Sequence, residues 1–79
     1  MRLDKFLKIS RIIKRRTLAN EACDAGRVSI NDKPAKAGTP VVVGDIIEIR
    51  FGQSTQRVRV LDIKEHVAKE GAAGLYEVL

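Results

Sequence analysis

The period of the apolar residues changes once along this chain, at Gly26-Arg27, and that change restricts the fold more than any other feature. Before it, Leu3, Phe6, Leu7 and Ser10 recur at i, i+3, i+4 and i+7, the spacing that gathers side chains on one arc of a helix. Arg2, Lys5 and Lys8 fall on another, outward arc. Ile9 and Ile12 break the pattern, so the first helix is expected to stop near residue 9 or 10. Leu18, Ala19, Ala22, Cys23 and Ala25 mark the apolar side of a second helix, with Asn20, Glu21 and Asp24 on its wet side. Thr17 is its expected N-cap, and Gly26 supplies the left-handed residue that commonly ends a helix.

After the change, the period is two. "RVSINDKPAK" reads as strand, Asn31-Asp32 turn and strand, because Asn and Asp tolerate the positive φ of a tight hairpin. Pro34 cannot donate to a ladder, so the second arm is expected to lie at an edge or to pair irregularly. "IIEIRF" is the next strand, "GQSTQ" a turn, and "RVRVLDI" an alternating strand. The stretch "EHVAKEGAAG" fits a loop or one or two helical turns ending at Gly74, and "LYEVL" fits a last strand. The expected class is α+β, an N-terminal helix pair packed on a small antiparallel sheet.

With 79 residues the chain suffices for one domain, expected to span 1–79, and such a domain buries only about 60% of its unfolded surface. Cys23 is the only cysteine, so no intramolecular disulfide can form. No secretory segment or membrane-length apolar run is present, which points to a reducing cytoplasm.

Net charge is +5, and its distribution matters more than its size. Residues 1–36 hold ten Lys or Arg against four Asp or Glu; residues 37–79 hold five against six. Seven of the ten front cations lie in the first sixteen residues, and Lys14, Arg15 and Arg16 are consecutive. The first N–H groups of a helix lack intrahelical partners, and the dipole adds positive charge at that end. Cations there oppose the second helix until an anion arrives. A phosphate accepts from the N–H groups and the guanidinium forks together. One face built for a polyanion follows, and a nucleic-acid backbone is the expected partner. No zinc-finger spacing, heptad or long recognition helix points to DNA, and no aromatic pair on a strand points to single strands. Folded RNA, read through shape and backbone, is the expectation.

The segments "RLDKFLK", "RRTLANEACDAGRVSIND" and "VVVGDIIEI", in that order, resemble the alpha-L RNA-binding motif named for ribosomal small-subunit protein four. The likeness covers about residues 2–50, leaving 51–79 as C-terminal strands and tail. "MRLDKFLKISRIIKRRTLA" and "RFGQ" are similar above all to the stand-alone RqcP-type bacterial family of ribosome-associated quality control. A more distant likeness is to the fifteen-kilodalton ribosome-binding heat-shock proteins. The resemblance implies binding to large-subunit rRNA and peptidyl-tRNA on a stalled large ribosomal subunit. It also implies support for C-terminal alanine tailing by an RqcH-type tailing factor. Arg2 and Arg16 match the rRNA phosphate contacts, with Lys5, Lys14 and Arg15 beside them, while Asp4 matches a residue that orients an arginine or caps the first helix. Two departures stand out: Arg15 replaces a usual small Ser, and Asp32 a usual turn Gly.

The expected RNA face is therefore Arg2, Lys5, Lys8, Lys14, Arg15 and Arg16, with Arg27, Lys33 and Lys36 at its margin. Arg57 and Arg59 serve either a second contact or solubility. A monomer without cofactor or metal is expected. His66 has no ligand-spaced neighbour and belongs on the surface; Cys23 on an Ala-rich helix face reads as a small buried hydrophobe. The pairs Glu65 with Glu70 and Asp45 with Glu48 have nothing convergent around them. Without a nucleophile–base set, a phosphate-cradling Gly loop or metal spacing, the chain is not expected to be an enzyme. A transit peptide or membrane-surface helix is the rival reading of the basic N-terminus, disfavoured by Asp4 and by the narrow apolar arc. Two other functions share the features above: a general rRNA-binding chaperone or assembly factor, and a protein–protein adaptor with incidental basicity.

Overall fold

A computed structural model describes residues 1–79. Helix α1 (Leu3–Ile9) and helix α2 (Arg16–Asp24) come first. Strands β1 (Val28–Ile30), β2 (Lys33–Pro34), β3 (Ile46–Phe51) and β4 (Ser54–Val60) follow. A short helix α3 (Lys69–Ala72) runs into a 3-10 turn, Ala73–Leu75, and strand β5 (Tyr76–Val78) closes the chain. The five strands form one antiparallel sheet in the order β2-β1-β3-β4-β5. Pro34 sits in an edge strand, where its missing N–H costs no ladder bond. The α+β class read from the change of period is the one observed.

The core lies between the helix pair and one face of the sheet. Leu3, Phe6 and Leu7 of α1 and Ala19 and Cys23 of α2 are buried against Val28, Ile30, Ile47, Ile49, Val58 and Val60. The period of two explains the strands' share: Ile47 and Ile49 point inward while Glu48 and Arg50 do not. Each large core side chain contributes about 1.5–3 kcal/mol on burial. Leu75, delivered by the 3-10 turn, closes the far end.

Local signals account for most boundaries. α2 ends in a Schellman motif: Gly26 has φ 75°, its N–H reaches Cys23 O at 3.0 Å, and Arg27 N–H reaches Ala22 O at 3.0 Å. Asn31 (φ 51°) and Asp32 (φ 67°) are both left-handed, as a type I′ hairpin requires. The Asn31 side chain also accepts from Ile46 N–H at 3.0 Å and donates to Asp45 Oδ1 at 3.1 Å, tying the turn to the start of β3.

Several expectations need correction. Thr17 is not the N-cap of α2; Arg15 is, in extended conformation and without a side-chain cap bond. The helix starts a residue pair earlier because Arg16 must sit in its first turn to reach Asp4. Leu18 and Ala25 lie outside the core, since the sheet covers only the arc of Ala19 and Cys23. The turn after β3 is only Gly52-Gln53, and Ser54, Thr55 and Gln56 already pair with β3. β4 ends at Val60, so Leu61, Asp62 and Ile63 are not strand; the N–H groups of Leu61 and Asp62 turn to Leu75 O instead.

Candidate nucleic-acid interface

Asp4 is the centre of the basic end. It lies in the first turn of α1, its side chain only 3% exposed, because the loop of residues 37–39 covers that helix end. Leu3 N–H donates to Thr39 O at 2.9 Å and Asp4 N–H to Ala37 O at 3.1 Å, so backbone carbonyls satisfy donors that no side chain caps. The Asp4 carboxylate accepts from Lys5 N–H at 2.8 Å. It also accepts from Arg2 Nε at 3.2 Å, Arg16 Nη2 at 3.4 Å and Asn20 Nδ2 at 3.3 Å. The first turns of both helices thus meet on one carboxylate.

Burial pushes the Asp4 carboxyl up, but the bonds from Arg16 and Asn20 and the charges of Arg16 and Arg2 outweigh it and leave it below its ordinary value. Asp4 is therefore ionised, and one negative charge is set against two guanidinium groups. The Arg2 and Arg16 side chains stay about half exposed, at 55% and 48%, and each guanidinium keeps N–H groups that Asp4 does not engage. A buried anion holding two exposed arginines removes much of the side-chain entropy a ligand would otherwise have to overcome.

The remaining cations differ in whether an acid stands beside them. Arg57 pairs with Glu48 at 3.6 Å and Lys64 with Asp62 at 3.7 Å, and Arg59 pairs with Glu77 across the β4–β5 register. Arg57 and Arg59, both in β4, thus pair across strands with Glu48 and Glu77 respectively. Lys5 reaches back to Glu65, whose carboxyl the ammonium holds below its ordinary range. By contrast, Lys8, Arg11, Lys14 and Arg15 have no carboxylate within 4 Å. These four run along the end of α1 and its connection to α2, beside Arg16.

The structure therefore brings Arg2 and Arg16 together on Asp4. Lys8, Lys14 and Arg15 are exposed around the same two helices, and the Lys5 amine is shared with Glu65. Lys36 lies next to the 37–39 loop that receives α1. Arg27 is elsewhere: it lines a depression with Arg50 and Gly52. Lys33, in edge strand β2, makes no polar contact with the arginine pair. Sequence reading missed three residues. Asn20 was placed on the wet side of α2, yet it stands one turn after Arg16 and binds Asp4; that i, i+4 relation is the signal for it. Arg11 occupies a left-handed position (φ 61°) just past α1, where glycine is the usual residue. Arg50 donates to Gly26 O at 3.0 Å and joins Arg27, a proximity created only by folding. Cys23 is buried, and burial with the charges of Asp4 and Asp24 raises its thiol to about 11.

Comparison with known proteins identifies the family. The S4 domain family model matches residues 1–47. The RQC P-site tRNA stabilizing factor of Halalkalibacterium halodurans is 59% identical over 78 residues, covering 99% of this chain and 89% of the relative. The Bacillus subtilis factor of the same name is 54% identical over 79 residues, covering 100% and 92%. Among solved structures, the trimeric heat shock protein 15 of Vibrio cholerae superposes with a TM-score of 0.91 at 30% identity, covering 100% of this chain and 81% of that one. With its helix pair, its sheet order and the Asp4 cluster on residues 1–47, the chain belongs to the S4 domain family, in the group of RQC P-site tRNA stabilizing factors.

Proposed function

We propose that this non-catalytic chain acts in the cytoplasm as a monomeric RNA-binding factor of ribosome-associated quality control. It binds large-subunit rRNA and P-site peptidyl-tRNA on a stalled large ribosomal subunit and so supports alanine tailing by an RqcH-type factor. The name shared by the relatives at 59% and 54% identity supports the tRNA and quality-control parts of this reading. The observation that carries the RNA part is the arginine pair held half-exposed on buried Asp4, next to a run of cations without carboxylate partners.

Arg2 and Arg16 take phosphate oxygens with forks already oriented by Asp4, which favours bidentate contact over diffuse attraction. Lys8, Lys14 and Arg15 extend the contact, and Lys5 joins when phosphate displaces Glu65. Arg27, Lys33 and Lys36 act at the margin. The whole span 1–79 works as one domain, since the core closes only with Leu75.

Arg16→Ala is expected to weaken RNA binding for all sequences alike and to flatten the salt dependence of log K by about one unit. An unchanged slope in a salt titration removes Arg16 from the interface. Co-sedimentation with large subunits, before and after ribonuclease treatment, tests the function itself. Loss of binding after digestion is the expected result; persistence would favour a protein adaptor.

A further inference from the structure

A second surface is left over from the arginine cluster. Between α2 and the end of β3 lies an open cleft of about 360 Å³, lined on one side by Leu18 and Ala22 and on the other by Ile49 and Phe51. Leu18 is 49% exposed and Phe51 42%, large apolar surfaces that the fold leaves uncovered. Ile13, from the loop that carries Lys14 and Arg15, also lines it, so the cleft adjoins the basic run. Arg27 and Arg50 stand at its edge, and neither has a carboxylate partner. Arg50 is fixed there by its guanidinium bond to Gly26 O and its N–H bond to Arg27 O at 2.9 Å. Glu21 is the only acid in the lining.

We propose that this cleft receives one unpaired base of the RNA whose backbone the neighbouring basic loop holds. The inference rests on the function proposed above and adds a site to it. An extruded base offers a flat apolar face for the Phe51 ring and the Leu18 side chain, as unpaired bases do on aromatic residues elsewhere. Its phosphate lies within the field of Arg27 and Arg50. Glu21 accepts from an exocyclic amine, which favours adenine, cytosine or guanine over uracil. Charge complementarity decides for RNA over an acidic protein segment. Arg27 and Arg50 line the cleft, Lys14 and Arg15 follow Ile13 of its wall in the chain, and the backbone of a single RNA strand supplies anions on both sides of the base.

The test uses three RNA hairpins of one stem: fully paired, with one bulged adenosine, and with an abasic position at the bulge. The full chain is expected to bind the adenosine bulge about tenfold more tightly than the abasic one. Phe51→Ala and Leu18→Ala should each erase that difference while leaving affinity for the paired and abasic hairpins unchanged. Phe51→Leu, which keeps apolar bulk without a ring, should erase most of it, and urea midpoints verify that the variants are folded. Equal affinity for bulged adenosine and abasic site overturns the cleft proposal and leaves the backbone reading standing. Failure to bind any hairpin overturns both. If Phe51→Ala leaves all RNA affinities intact but weakens association with ribonuclease-treated large subunits, a protein segment occupies the cleft and the proposal falls.

Discussion

Asp4 has more consequences than any other single residue. It is a carboxylate only 3% exposed, ringed by donors from Arg2, Arg16, Asn20 and the Lys5 backbone. Asp4→Asn preserves shape but removes the charge, leaving two guanidinium groups to repel each other. Because both arginines are half exposed, the loss of stability should be about 1–2 kcal/mol, well short of that for a fully buried pair. The pH dependence has a defined sign. The folded carboxyl lies below its ordinary value of 3.8, so its stabilisation is complete above that pH and disappears as pH falls through the folded pKa. Urea denaturation of wild type and Asp4→Asn should therefore show a constant gap at neutral pH that narrows in acid below about pH 4. A gap independent of pH would mean that Asp4 acts through packing alone. Sequence reading anticipated that Asp4 orients an arginine or caps α1. It orients Arg2 and Arg16 but does not cap α1, whose N-cap is Arg2 without a side-chain bond, and the Asn20 contact and the convergence of two arginines depend on how the helices cross.

At the scale of the element, α2 starts under strain. Arg15 occupies an N-cap position that favours Asp, Asn or Ser, and no acidic residue lies in the first turn. Residues that oppose local structure often mark function. Arg15→Asp should therefore raise stability by about 0.5–1 kcal/mol while weakening RNA binding, the two read by thermal melting and by titration. If both fall together, Arg15 contributes to the fold rather than opposing it. Thr17 was the wrong N-cap for the same reason: a capping rule compares residues by local preference, and here Arg16 is held in the first turn by a carboxylate twelve positions away. The hairpin was better signposted. Asn31 and Asp32 declare the turn by residue type, and Asn31 then takes a second task on β3 that local sequence does not announce.

For the whole molecule, the decisive pattern is which cations the fold neutralises. In β4 Arg57 and Arg59 meet acids, as Lys64 does beyond it, while Arg27 and Arg50 beside the cleft meet none, nor do Lys8, Arg11, Lys14 and Arg15 at the helical end. If these four, with Arg2 and Arg16, engage about six phosphates, log K should fall against log salt with a slope near −4 to −5. Glu65→Gln, which frees Lys5, should steepen that slope; a slope near −1 for the wild type would show that most of these charges are solvated bystanders. Pro34 left its strand either at an edge or irregularly paired until the sheet order placed it at the edge, whereas the α+β class, the two helices, the hairpin and the S4 family likeness were legible in the residues alone. Those follow from spacing and turn residues that act over a few positions. Folding alone brings Lys5 to Glu65 sixty residues on, Arg50 to Arg27, and Leu18 and Phe51 to one open cleft. Periodicity assigns each side chain to a face of its own element, but free charge and exposed apolar surface depend on which faces meet, and that is set by the packing of helices on sheet.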